Sequence, residues 1–226
     1  MNELDFAPFL LSFKLAAITT LILFIIALPV AWWLSQTKCR CKPFAEAIAS
    51  LPIVLPPSVL GFYILFALSQ NSPIGTFFYE MFGIKLVFNF TGLVVASCFY
   101  SFPFMVQPLQ GGFETLNKNM LEASYIAGKS KIQTLYFVAL PNIKPALITA
   151  TIITFAHTVG EFGVVLMVGG SIPNETKVAS VAIYEAVEIM DYKTAHIYSL
   201  IMLSLSFLVL LGVYLFNRRH NKRIGV

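Results

Sequence analysis

Charge is what this sequence has least of. Asp, Glu, Lys and Arg make up 12% of its 226 residues, about half the roughly 25% typical of soluble domains, so an ordinary water-facing surface is excluded. Cysteine is almost missing. Cys39 and Cys41 form one C-x-C pair with no second pair and no nearby histidine, and Cys98 stands alone, so no metal site is expected. There is no basic segment ahead of the first hydrophobic residues, and Lys14 comes after they begin. A cleaved signal peptide is therefore not expected, and the first hydrophobic run stays. Low-complexity linkers and repeats are lacking too, so residues 1–226 are expected to form one domain. A nucleotide-binding loop is also absent. Gly128-Lys129-Ser130 imitates its end, but that pattern requires glycine at 123, where alanine stands, and no β-branched strand precedes it. Energy must then come from another chain, and no cofactor is expected.

What the sequence does have is apolar length. Hydrophobic residues are 58% of the chain and mean hydropathy is +0.79. The runs 15–34, 47–68, 86–106 and 195–215 each reach the ~20 residues that cross ~30 Å of hydrocarbon. A fifth begins near Leu140, carries Lys144 and Pro145 in its first turns, and continues over 146–159. The piece 162–167 is too short to cross alone; it reads as re-entrant or as the outer end of the preceding span, with six spans as the alternative count. The expectation is an all-α polytopic membrane protein with five transmembrane helices.

The basic residues orient it. Lys38, Arg40 and Lys42 come after the first span; Lys118, Lys129 and Lys131 precede the fourth; Arg218, Arg219, Lys222 and Arg223 end the chain. By the positive-inside rule these lie in the cytoplasm, where the Cys39 and Cys41 thiols stay reduced. The amino terminus, with Glu3 and Asp5, is then outside, and an odd number of spans returns the carboxyl terminus inside. Topology accounts for the net charge of +4, so no nucleic-acid partner is needed. Trp32 and Trp33 fall where the first span should meet the inner interface.

Prolines gather where a passage would need them. Pro52, Pro56 and Pro57 interrupt the second span, and Pro103 and Pro108 the end of the third. Each removes a backbone donor, which a membrane tolerates only beside protein or water. Pro56-Pro57-Ser58 is accordingly assigned to a segment lining the passage. In the long outer loop, 178–189 has a helical period in which Val181, Ile183, Tyr184, Val187 and Ile189 oppose Glu185 and Glu188.

Residues 114–141 are moderately polar between intensely hydrophobic neighbours, and they spell two short helices in a hairpin. Asn117 or Asn119 can cap the first, with Leu121, Tyr125 and Leu116 on its apolar face. Ala123, Ser124 and Ala127 leave another face small enough for close approach of a partner. Gly128 sits where a helix would end in a left-handed turn. Ile132, Leu135 and Tyr136 come next, and the chain re-enters the membrane at Leu140-Pro141.

The pattern Glu122-Ala123-Ser124, three residues, Gly128, nine residues, then Val138-Ala139-Leu140-Pro141 resembles the EAA loop of type I ABC importer permeases, with serine at 124 and valine at 138 as conservative departures. The stretches 51–65 and 157–187 resemble the molybdate transport permeases, relatives of the sulfate permeases. The likeness implies that the loop forms coupling helices seated on an ATP-binding-cassette ATPase subunit, with Glu122 and Gly128 as fixed points and Ala123, Ser124, Leu140 and Pro141 beside them. It implies two copies of this chain, two ATPase subunits, a periplasmic molybdate-binding protein and a bacterial cytoplasmic membrane. Molybdate would cross by alternating access; sulfate and tungstate, also tetrahedral dianions, are the alternative cargo, and a channel or secondary transporter is the rival class.

For the pathway, Pro56, Pro57, Ser58, Gly160, Glu161, Phe162 and Gly163 are the expected lining or gate, with Ser58 and Ser101 as hydroxyl donors. Glu161 would repel an anion, so a structural or gating role in a pair with Lys14 is expected of it. His157 is expected to pack between helices.

Overall fold

The computed structural model of the chain describes residues 5–224, with side chains from 5 to 212 and at 214 and 215. Glu3 lies outside them, as do the side chains of Arg218, Arg219, Lys222 and Arg223. All regular structure among the described residues is helical: α1 (Ala7–Gln36), α2 (Lys42–Val54), α3 (Pro57–Leu68), α4 (Pro73–Phe82), α5 (Phe90–Glu114), α6 (Lys118–Ile126) and α7 (Lys131–Thr134). A π-turn, Leu135–Ala139, then leads to α8 (Leu140–Asn142), α9 (Lys144–Val159), α10 (Gly163–Gly169), α11 (Ala179–Glu188) and α12 (Tyr192–Ile224).

Three helices are long and apolar enough to span a membrane, α1, α5 and the Tyr192–Gly212 part of α12, and the number becomes five when each bent pair is one span. The bent pairs are α2 with α3, turned by 110°, and Lys131–Asn142 with α9, turned by 82°. The five runs of the sequence are thus all present, but the second is a broken helix. Leu55 and Pro56 both take extended backbone, because the residue before each proline is driven out of the helical region. Pro103 and Pro108, by contrast, do not interrupt the third run: α5 continues through both. The piece expected at 162–167 is α10, seven residues long, packed between α3 and α5.

The core joins α1, α5 and α9. Leu23, Leu34, Met105, Leu109 and Phe113 are buried in one cluster that also takes in Leu135, Ala139 and Ile143 from the segment before α9. Trp32 belongs to this core, edge-on to Phe113 at 5.0 Å; Trp33, 48% exposed, is the ring left to face the interface. Polar anchors hold the outer parts. Ser12 Oγ on α1 accepts the Ala179 N–H at 2.9 Å and donates to the Pro8 carbonyl, which pins the start of α11. The buried face of α11 is Ala179, Val181, Ala182 and Ala186, while Tyr184 and Val187 face outward. The sequence period set Val181, Tyr184 and Val187 on one face opposite Glu185 and Glu188; the structure splits that face, and the small alanines are buried where α1 and α12 pack against α11.

Two adjacent glycines in α5 differ sharply. A Cβ on Gly112 would stand 2.4 Å from Ala146 Cβ on α9, whereas one on Gly111 would meet nothing within 4 Å. Gly112→Ala is expected to separate α5 from α9 and lower the thermal midpoint in detergent, an overpacking cost of about 1–3 kcal/mol. Gly111→Ala should leave the midpoint unchanged or raise it, since alanine is favoured in a helix by about 0.8–1.0 kcal/mol. Equal effects of the two would contradict this packing.

A candidate docking hairpin and a chamber at the helix breaks

The hairpin is built as local sequence dictates. Asn117 caps α6, its side chain accepting the Asn119 N–H at 2.9 Å. The helix ends on Gly128, φ +79°, whose N–H reaches the Tyr125 carbonyl at 2.9 Å while the Lys129 N–H reaches the Ser124 carbonyl at 3.2 Å. Those two bonds are a Schellman ending, which needs a left-handed residue. Ser130 and Gln133 then form a reciprocal capping box at the start of α7. That box was present in the sequence as S-x-x-Q and is the signal that fixes where the second helix starts.

Ser124 does not face a partner. It is buried, and its Oγ lies 2.9 Å from Thr134 Oγ1, so it clasps the two arms together. The second arm is not one regular helix but a single α-turn followed by the π-turn. This register shift turns Leu135 and Ala139 into the core, with Leu140 half-buried and Pro141 exposed at its end. What the hairpin offers outward is Glu122, Ala123 and Gly128, ringed by Ile126 (88% exposed) and Ile132 (69% exposed). Large apolar residues presented this openly beside polar ones make this side of the hairpin a candidate interaction surface.

At the other end of the core the chain breaks meet. Pro57, Tyr100, Ala156, His157, Gly160, Glu161, Phe162 and Gly163 line an open chamber of about 530 Å³. Of the expected pathway residues, Pro57 and 160–163 come together here. Pro56 and Ser58 flank Pro57, both exposed at the start of α3. Gly163 is required: a Cβ there would lie 2.7 Å from Pro57 Cβ. His157 is stacked on Phe104 at 3.7 Å, lies 4.7 Å from the ring of Tyr100, and has Nδ1 3.2 Å from Ser101 Oγ. Ser101 is buried and also bonds Thr158 Oγ1 at 2.9 Å. It therefore ties α5 to α9 and is not a donor to the passage, contrary to expectation.

Glu161 is 4% exposed, and neither carboxylate oxygen has a hydrogen-bond partner. The Val164 N–H, in the first turn of α10, turns toward it without reaching bonding geometry. The expected pair with Lys14 does not form. Lys14 is exposed and stands over the Phe90 ring at 4.8 Å; a long side chain at the helix surface snorkels outward instead of reaching the buried carboxyl. The loop is held through its backbone, the Ser180 hydroxyl donating to the Glu161 carbonyl.

The family model for the binding-protein-dependent transport system inner membrane component matches residues 9–226. A molybdenum transport system permease protein, ModB, of Azotobacter vinelandii is 46% identical over 215 residues, 95% of each chain. A probable sulfate transport system permease protein of Chlorella vulgaris is 32% identical, covering 93% of this chain and 79% of its own. The fold is shared with an inward-facing MetNI methionine ABC transporter structure at a TM-score of 0.75 and 18% identity, over 97% of this chain and 99% of that one.

An unpaired buried carboxyl predicts how Glu161→Gln behaves. The isosteric amide is expected to leave the thermal midpoint of the detergent-solubilised protein unchanged or higher. A loss of about 3–5 kcal/mol, the cost of breaking a buried ion pair, would show that a cation reaches it.

Proposed function

The chain belongs to the binding-protein-dependent transport system inner membrane component family, and from that premise we propose that it is the membrane-spanning permease subunit of an ATP-binding-cassette importer of molybdate. The cargo rests on the near full-length likeness to the Azotobacter permease, and the permease role on the hairpin. The whole chain, 1–226, serves as one transmembrane permease domain in a bacterial cytoplasmic membrane, amino terminus outside and carboxyl terminus inside. Two copies pack face to face. A periplasmic molybdate-binding protein delivers the oxyanion to the outer mouth, and two ATPase subunits grip the 114–141 loops.

The single observation that carries the mechanism is the two-sided hairpin. Its inner side, Leu135, Ala139 and Ile143, is part of the same buried cluster as Phe113 of α5. Its outer side presents Ile126 and Ile132 around Gly128. A motor seated on the outer side therefore acts on both α5 and α9, and a displacement of one against the other changes access to the chamber between them. Glu122 and Ala123 lie on the docking face, Ser124 holds the arms in register, and Leu140 and Pro141 end the arm where it rejoins the core. Gly160–Gly163 with Pro57 form the gate region. A channel or secondary transporter has no use for such a hairpin. Sulfate or tungstate remains the alternative cargo, and the sulfate reading draws on the Chlorella relative.

Gly128 supplies the test. No atom lies within 4 Å of a Cβ placed there, so Gly128→Val disturbs the turn alone, at roughly 1–2 kcal/mol for a left-handed residue. The variant is expected to insert and dimerise normally, while co-purification with the ATPase subunit and ATP-driven molybdate uptake into proteoliposomes both collapse. Gly128→Asn, which tolerates the left-handed region, should retain more of each. Unchanged uptake in Gly128→Val would sink the coupling role. Complete competition by sulfate with labelled molybdate would move the cargo assignment to sulfate.

A further inference from the structure

Tyr100, Phe104, Gln107, Gly111 and Glu114 recur at helical spacing along α5, so they share one face. The upper two hold His157 at the chamber. Below them the face turns polar and is joined to α2, which runs antiparallel to it, by three successive rungs. Gln107 Nε2 donates to Ser50 Oγ at 2.9 Å. Gln110 Nε2 donates to Glu46 Oε1 at 2.6 Å and to Glu114 Oε1 at 3.0 Å. Lys42 Nζ lies 3.1 Å from Glu114 Oε1 and 3.5 Å from Glu46 Oε1. Gln107, Gly111 and Glu114 remain exposed, and α2 contributes a single buried residue, Ala49.

Depth makes this face unusual. At about 1.5 Å per residue α5 is roughly 37 Å long, against ~30 Å of hydrocarbon. Gln107 is seven residues, about 10 Å, from its cytoplasmic end, which places an open amide inside the hydrocarbon layer. Turned to lipid, such a group loses its water partners at several kcal/mol. Phe99 of α5 and Leu203 and Phe207 of α12, each at least 60% exposed, are by contrast wholly apolar, as lipid requires.

We propose that the 107–111–114 face of α5, with Lys42 and Ser50 of α2, lines the inner, water-filled half of the translocation pathway, and that the oxyanion passes Gln107 and Gly111 on leaving the chamber. The identity of the cargo rests on the function proposed above; the aqueous lining does not. The chemistry suits an exit. Amide and hydroxyl donors can replace part of an anion's hydration, Gly111 leaves the wall clear of side chain, and at the rim one lysine faces two carboxylates. An anion finds donors without a trap, which release requires.

The assembled transporter, with Cys39, Cys41 and Cys98 replaced and parental uptake retained, provides the test. Single cysteines are placed at Gln107 and Gly111, with Phe99→Cys and Leu203→Cys as lipid-facing references, and inside-out vesicles are treated with an anionic, membrane-impermeant thiosulfonate. Positions 107 and 111 are expected to react an order of magnitude faster than the references, to lose uptake on modification, and to be slowed by molybdate. Reaction no faster than at the references overturns the aqueous lining. Fast reaction with uptake intact overturns the pathway, leaving a surface merely wet. A Gly128→Val variant that still transports, beside fast and inhibitory labelling at 107 and 111, would remove the motor coupling and keep the lining. Unreactive 107 and 111, beside a dead Gly128→Val, would remove the lining alone.

Discussion

The meeting of Gly163 with Pro57 is the contact on which this architecture turns. Two chain breaks lie at membrane depth, Leu55–Pro56 and Gly160–Phe162, and neither could stand against hydrocarbon with its backbone groups open. They meet at one point, α10 lying on α3 so closely that even a methyl group at 163 would meet the proline ring. The same closeness recurs one turn on, where a Cβ at Gly61 would come within 2.9 Å of Met167 Cβ. The short α10 is therefore no failed span. It packs against α3 where the chain bends by 110° from α2.

The two breaks are sealed by different means. On the α10 side, side chains hold both ends: Ser180 reaches the Glu161 carbonyl at the break, and Thr176 Oγ1 joins the Gly169 carbonyl and the Ile172 N–H at the far end of α10. On the α2–α3 side the first turn of α3 simply folds back, the Val59 and Leu60 amides both reaching the Pro56 carbonyl, and Pro56, Pro57 and Ser58 stay uncovered. A rigid wall thus faces an open one across the chamber. The side-chain bonds that hold α2, from Ser50, Glu46 and Lys42 to α5, lie away from this break.

Much of this was legible in the sequence, and what was not has a common physical cause. Apolar runs, prolines and the lone αL glycine of the hairpin are local signals, and they located the five runs, the break at Pro56 and the turn at Gly128. Facing was harder. The period of 178–189 groups apolar residues whatever their size, so it could not reveal that Val181 and the alanines are buried while Tyr184 is not. Ser124 was equally ambiguous, since a small residue suits a partner's groove as well as a clasp to Thr134. Lys14 and Glu161 shared a depth, but sequence gives no azimuth, and they point to different places. Gln107 and Gln110 were visible as amides in an apolar run, and polarity where lipid is the solvent was the signal to pursue.

The π-turn at Leu135–Ala139 makes the hairpin mechanically asymmetric. An extra residue per turn rotates the chain beyond it, and here that rotation lets Leu135, Ala139 and Ile143 all enter the core although α7 begins on the hairpin's outer arm. Wide turns of this kind gather at functional sites because their bonding ladder is easily shifted. Immediately past the π-turn the chain bends again at Ile143 before α9. The hairpin is therefore held stiffly toward α5, through Leu116 and Phe113, and loosely toward α9, through two successive irregular turns. His157 of α9 is bonded and stacked to Tyr100, Ser101 and Phe104 of α5, so the looser of the two connections ends at the chamber wall.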